Sequence, residues 1–263
     1  MTESSACTRI LVTGASGGLG GALARNYAKT GVNMSLWGRD PTRLEAVASQ
    51  CRAAGAEVQV QLLDIADVDA ALAALAKADS AAPFDLALFA SGQGDTRAAC
   101  DLVEDSRLVA RLGTVNFTAP AAMAAALAGR MAQRAKNQNG GGRIVLISSA
   151  AAFHALPFAA AYSGTKAGLS RFADALRIGV APLGVSVTLV SPGFIDTAAG
   201  RKVPGPKPML MTADAVAARI AIAAERRQAH LVLPWPFVAL RWLDRVLPRP
   251  LRDRLLANLT PSG

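Results

Sequence analysis

Tyr162 and Lys166 stand four residues apart in Tyr162-Ser163-Gly164-Thr165-Lys166, at the opening of a stretch that reads as a helix. Residues at i and i+4 share a helix face, so an ammonium can lie beside a phenol there. It would favour the phenolate and pull a pKa of about 10 toward neutrality. A shift of about three units needs roughly 4 kcal/mol of differential stabilisation. A phenol tuned in this way can give a proton to a carbonyl oxygen or take one from an alcohol. By spacing alone the pair could equally be two neighbours on a surface helix. Ser149 stands thirteen residues before Tyr162, just after the β-rich run Arg143–Ser148, and a hydroxyl at that point can donate to a developing alkoxide. Asn116 lies inside a long apolar helical stretch and by itself reads equally well as a tolerated core amide.

A second constellation is Thr13-Gly14-Ala15-Ser16-Gly17-Gly18-Leu19-Gly20, directly after the first apolar run. Glycines between a strand and a helix let the backbone turn tightly and approach a pyrophosphate, which then meets helix N–H groups and the positive helix end. Nucleotide binding is the expectation, because the context is strand, turn and helix and not a bare glycine pattern.

The elements that must position these residues alternate. Strands are expected at Thr8–Thr13, Val32–Trp37, Glu57–Leu62, Asp85–Ala90, Arg143–Ser148, Val185–Ser191 and, shortest, Leu231–Leu233. Helices are expected at Gly18–Thr30, Asp40–Ala54 (Asp40 as N-cap, Pro41 at the first helical position), Asp67–Lys77, near Thr96–Ser106, over Arg107–Lys136, and at Ala160–Ala181. Strands separated by helices imply right-handed crossovers and a doubly wound parallel sheet of about seven strands, an α/β fold with helices on both faces. Gly200–Thr212 is rich in Gly and Pro and lies where a substrate lid would be placed. One domain over residues 1–233 and a helical tail over residues 234–263 is the expected organisation.

Taken together, the motifs resemble the short-chain dehydrogenase/reductase family, in the subgroup with TGxxxGxG and YxxxK, over roughly Thr8 to Thr197. The resemblance implies a Rossmann-type fold and a tetrad of Asn116, Ser149, Tyr162 and Lys166. Tyr162 would be the acid/base, Ser149 the carbonyl orienter, and Lys166 both a ribose ligand and the tuner of Tyr162. Asn116 would hold a water in a proton relay. It further implies a nicotinamide dinucleotide held by Gly14, Ser16, Gly18, Leu19, Gly20, Asp64 and Gly92, by Tyr162 and Lys166, and by Pro192, Gly193 and Thr197. The chain departs from the family's Asn-Asn-Ala-Gly with Phe89-Ala90-Ser91-Gly92. Ala90 removes an amide that ties the sheet together, so another link is expected. After strand two the chain has Gly38-Arg39 where NAD-preferring members carry an acid. A guanidinium there suits a 2′-phosphate, so NADP(H) is expected over NAD(H). The activity implied is hydride transfer between NADPH and a carbonyl or alcohol of a hydrophobic or carrier-linked substrate. Reduction of 3-oxoacyl groups on acyl carrier protein and a non-catalytic NADP(H)-binding role are the alternatives. A homodimer or homotetramer through Arg107–Lys136 and Ala160–Ala181 is the family habit.

Composition sets the remaining bounds. The chain has 263 residues, 52% apolar and 18% charged, which excludes a disordered chain. Cys7, Cys51 and Cys100 form no paired spacing, and His154 and His230 are the only histidines, so neither a disulfide framework nor a zinc site is expected. Glu3 stands where a signal peptide wants a base, and a cytoplasmic protein is expected. Leu112–Gly129, Ile144–Thr165 and Ile178–Ile195 each run 18 or more residues without a formal charge. Buried elements of a parallel sheet give the same signal as membrane spans, and Pro in each run favours the former. His154, Phe153 and Phe158 are expected to line the pocket.

The net charge of +9 is uneven. Residues 1–198 hold 17 basic and 15 acidic side chains, and residues 199–263 hold 11 and 4. No aromatic-interleaved basic motif points to nucleic acid. In the tail, Leu240, Leu243 and Leu247 recur at helical spacing with Arg241, Asp244 and Arg245 on another face. Leu251, Leu255 and Leu259 then restart the pattern after Pro248 and Pro250. Two short amphipathic helices are expected. They would form either a cap on the cleft or a sister subunit, or a peripheral contact with an anionic membrane.

Overall fold

The computed structural model describes residues 9–94, 103–137, 141–203 and 205–257. Seven strands form one parallel sheet: β1 (Arg9–Thr13), β2 (Asn33–Gly38), β3 (Glu57–Leu62), β4 (Leu86–Phe89), β5 (Arg143–Ile147), β6 (Ser186–Pro192) and an edge strand at His230–Leu233. Spatially their order is β3-β2-β1-β4-β5-β6, then His230–Leu233. The order reverses between β1 and β4, and ligands bind outside the strand ends at such a reversal. The short pair β7 (Ile195–Asp196) and β8 (Met211–Thr212) lies apart, so the edge strand is β9.

Alternation along the strands builds two cores. Leu11, Trp37, Phe89 and Leu146 pack on α3 (Val68–Ala81) and two further helices, α5 (Ala119–Asn137) and α6 (Ala160–Val180). Ile10, Val12, Leu36 and Val145 face the other way, toward α1 (Gly18–Tyr27), α2 (Pro41–Ala53) and α8 (Ala213–Glu225). The central strands β1, β4, β5 and β6 therefore bury both faces, which is why they read as continuous apolar runs. Edge strand β3 (EVQVQL) instead alternates and is largely exposed.

Local signals set several boundaries. Asp40 accepts from the Arg43 N–H and Pro41 opens α2, while Asp67 accepts from the Ala70 N–H to start α3. The helix expected near Thr96–Ser106 is not present over 103–105, where α4 (Ser106–Gly113) has yet to begin. Residues 95–102 of that stretch lie outside the described residues, as do Cys7 and Cys100. Cys51 is a free, buried thiol. The long helical region expected over Arg107–Lys136 runs unbroken, with a π turn at Thr114–Thr118 between α4 and α5. Ser106–Lys136 is long and apolar enough to cross a membrane. Its Met123, Leu127 and Met131 are fully buried in the first core, so its apolar character serves packing.

On that same side, Asp79 of α3 is fully buried and pairs with Arg130 and Arg134 of α5, and its Oδ1 accepts from the Phe84 N–H at 2.9 Å. After β6, α7 (Ala198–Lys202) occupies the start of the expected lid. After β9 the chain forms α9 (Phe237–Val246) and α10 (Arg249–Ala257).

Candidate active site

The first crossing, from β1 into α1, depends on small residues. Gly14 has φ +72°, and a Cβ on it would lie 2.8 Å from the Ser91 backbone. A Cβ on Gly20 would lie 2.1 Å from the Gly14 carbonyl oxygen. Only glycine lets the helix start seat so close to the turn. Gly17 caps α1 without a side-chain acceptor, so the first N–H groups of the helix keep their capacity for an anion. Thr197 lies directly across from this helix start, since a Cβ on Gly18 would come within 2.5 Å of its methyl group. The Thr197 hydroxyl accepts from the Gly200 N–H at 3.0 Å and so also caps α7. Ser16 sits over Gly38, whose hypothetical Cβ would be 2.7 Å from the Ser16 hydroxyl. Leu19 is half-buried beside the second core.

Farther along the strand ends, Arg39 is half exposed and its Nη1 lies 3.5 Å from Asp64. Asp64 also receives Arg111 of α4 at 3.2 Å and the Ala66 N–H at 3.0 Å. Burial alone would raise this carboxyl; the Ala66 N–H, Arg39 and Arg111 outweigh it and hold its pKa below the usual carboxylate range. Arg111 was not foreseen. It reaches Asp64 across 47 residues of sequence, and nothing local to either residue signals the contact.

The tetrad residues converge at the other side of the switch point. Asn116 is fully buried in the π turn. Its Oδ1 accepts from the Gln93 N–H and its Nδ2 donates to the Gln93 carbonyl, both at 2.8 Å. The side chain therefore stands in for a strand neighbour and fixes the chain after β4. A Cβ on Gly92 would lie 3.2 Å from Lys166 Nζ and 3.5 Å from Asn116 Oδ1, so both side chains come up against the bare side of Gly92. Gln93 also accepts from Arg111 Nε at 3.2 Å. Beside Ala90, the Thr13 hydroxyl accepts from the Ser91 N–H at 3.4 Å.

Ser149 follows β5. Its Oγ accepts from the Ala151 N–H at 3.1 Å and donates to the Pro192 carbonyl at 3.5 Å, and Ser149 stands near enough to Tyr162 to act on its phenol. Lys166, one turn beyond Tyr162 on α6, is buried and donates to the Ile147 carbonyl at 3.0 Å. The expected lowering of the phenol is corrected here. Burial raises the Tyr162 pKa, with Ser149 opposing it only in part. Lys166 is itself lowered to about 8 by burial, so the low-dielectric environment that holds the pair works against charge on either member. Glu104 is a further addition. Its Oε2 accepts from the Ala161 N–H at 2.8 Å and caps α6, because Ala159 at the N-cap offers no side chain.

Pro192 is buried at the end of β6, and the Gly193 N–H donates to the Leu233 carbonyl at 2.6 Å. The ring of Phe237 packs on Gly193, 2.7 Å from where a Cβ would stand. Phe153 and His154 line a cavity of about 540 Å³ between the loop after Ser149, α6 and Leu256 of α10. Phe158, expected with them, is not among its walls, nor are Ser149 and Tyr162.

The glycine turn after β1, Ser149 after β5 and Tyr162 with Lys166 on α6 all lie within residues 8–206, which match the family model described as short chain dehydrogenase. The chain belongs to the short-chain dehydrogenase family. An uncharacterized oxidoreductase of Myxococcus xanthus is 34% identical over 250 residues, covering 95% of this chain and 96% of that one. A solved short-chain dehydrogenase from Sphingobium yanoikuyae in complex with NADPH superposes with a TM-score of 0.78 at 26% identity, over 97% of this chain and 98% of that one. Another, from Mycobacterium paratuberculosis and bound to NAD, shares the fold at a TM-score of 0.73 and 20% identity, covering 86% of this chain and 95% of the other. This short-chain dehydrogenase has what a dinucleotide requires. Its first turn admits no side chain at Gly14 or Gly20, its α1 start is uncapped, and a half-exposed guanidinium stands at the end of β2.

Proposed function

We propose that this short-chain dehydrogenase is an NADP(H)-dependent carbonyl reductase, or the reverse alcohol dehydrogenase, acting on an apolar or carrier-linked substrate. The observation that carries the reading is the placement of Ser149, Tyr162 and Lys166. Ser149 follows β5 at the carboxyl end of the sheet, near the buried phenol of Tyr162 on α6, with a buried lysine one turn along that helix. A bound nicotinamide would supply the hydride to the carbonyl carbon. Gly14, Ser16, Gly18, Leu19 and Gly20 would hold the pyrophosphate side. Arg39 would meet the 2′-phosphate and Asp64 the adenine, while Gly92, Lys166, Pro192, Gly193 and Thr197 would border the nicotinamide half.

Within the site, Ser149 accepts from the Ala151 N–H and donates to the Pro192 carbonyl over a long 3.5 Å; its hydrogen would turn from that carbonyl to a substrate carbonyl oxygen. Tyr162 gives that oxygen its proton as the carbon is reduced. A phenol kept protonated by burial suits this reductive direction. Lys166 places a positive charge under the developing alkoxide and can return a proton toward Tyr162. Phe237 on Gly193 and the exposed Met209 and Leu210 before β8 favour an apolar substrate.

The test is NADPH consumption with a bulky aliphatic ketone. Tyr162→Phe should lower kcat by about a thousandfold, within the range for a lost general acid, and leave the NADPH Kd within a few-fold. Turnover retained by Tyr162→Phe overturns the assignment of the acid.

A further inference from the structure

We propose that the outward face of α9 and α10 docks this protein on the surface of an anionic phospholipid bilayer. Trp235, just before α9, and Val238, Trp242 and Val246 on it are 78, 41, 60 and 76% exposed. Their steps of three, four and four residues place them on one stripe. The other side of the helix is where it is fastened. Phe237 packs on Gly193, and Arg241 lies 3.0 Å from His230 Nδ1 and 6.0 Å over the Phe153 ring.

The sequence pattern leads one to expect Arg241 on the solvent side. In the structure the helix directs the Arg241 guanidinium inward and the Trp242 indole outward, with Trp235 exposed just before it. A surface helix in water does the reverse, and exposed apolar stripes of this kind mark interaction faces. On α10, Leu251 and Leu255 extend the apolar surface at 49 and 48% exposure, with Arg249 and Arg254 exposed beside them.

Charge selects the partner. Residues 237–257, which carry α9 and α10, hold five basic and two acidic side chains. In a two-fold contact with a second copy that excess would face itself, whereas anionic headgroups attract it. Indoles and basic side chains bordering an apolar row suit the headgroup boundary, where an amphipathic helix lies in the plane of the membrane. This inference stands apart from the proposed reaction, since it uses no residue of the tetrad.

The test is co-sedimentation of the full chain with vesicles made of equal parts phosphatidylcholine and phosphatidylglycerol, and with vesicles of phosphatidylcholine alone. Binding to the first is expected, with a blue shift of tryptophan emission and weakening by salt; little binding to the second is expected. The double variant Trp235→Ser with Trp242→Ser, both at exposed positions, should lose vesicle affinity by about tenfold or more. Its far-ultraviolet circular dichroism and thermal unfolding should match those of the parent. A chain that stays in the supernatant of the anionic vesicles overturns the proposal, as does a double variant that binds as well as the parent. A double variant that changes the oligomeric state while neither protein binds vesicles overturns it in favour of a subunit interface.

Discussion

Asn116 holds Gln93 by both of its backbone groups, at 2.8 Å each. The amide thus does the work of an adjacent strand for the chain just after β4, and it stands where the helix is widened into a π turn. Gln93 in turn accepts from Arg111, which reaches Asp64 and so Arg39's partner. One polar chain therefore runs from Asn116 in the π turn to Arg39 at the end of β2.

Replacing Asn116 with Ala should cost about 2 kcal/mol of stability, because two buried backbone groups lose their partner. Turnover should fall more steeply than stability, since Gly92 and Gln93 border Lys166. Denaturant unfolding read beside steady-state kinetics measures both. A variant with unchanged stability would show that solvent replaces the amide.

At the end of β2, Arg39→Ser should raise the NADPH Kd by about tenfold to a hundredfold, the worth of a charge-assisted hydrogen bond, with NADH affected by less than about threefold. Arg111→Ala should have a smaller effect on both, because Arg111 acts through Asp64. Calorimetric titration with the two dinucleotides distinguishes these outcomes. Equal affinity of the parent for both would remove the basis for preferring NADP(H).

Gly14→Ala forces a left-handed φ on a residue with a Cβ and drives that atom to 2.8 Å from the Ser91 backbone. The expected loss is about 1–3 kcal/mol or more, and dinucleotide binding should fall with it. Thermal unfolding with and without NADPH reads both effects. Full retention of the NADPH-dependent rise in Tm would mean that the turn relaxes without harm to the site.

His230 is lowered to about 4, by burial first and by Arg241 second, against an opposing Asp174. Its Nδ1 accepts from Arg241, which leaves Nε2–H to donate to Ser191 at 2.9 Å. The unfolded chain takes up a proton near pH 6.5 and the folded one near 4. The contribution of this group is therefore full above about 6.5 and is lost as pH falls toward 4. Unfolding free energy should decline over that window, and His230→Gln should flatten the decline. An identical pH profile in the variant would place the acid sensitivity elsewhere.

Much was legible in the chain itself. Strand boundaries at Glu57–Leu62 and the start of α2 at Pro41 follow from β-rich runs, Asp40 and Pro41, all signals carried by neighbours in sequence. Tyr162 and Lys166 share a helix face by period alone, and the glycines from Gly14 to Gly20 announce a tight turn whatever the rest of the fold does. Their locality is the reason: a period, a cap or a missing Cβ acts within one or two turns of backbone.

The tertiary structure decided what depends on distant partners. Arg111 meets Asp64, and Glu104 caps the helix of Tyr162 from 57 residues away, contacts no window of sequence contains. The sign of the Tyr162 shift was likewise settled by burial, which belongs to the packed whole, and not by the spacing to Lys166. The same holds for the tail. Its amphipathic period was plain in the sequence, but which side faces inward depends on Gly193 leaving room for Phe237 and on His230 offering an acceptor to Arg241.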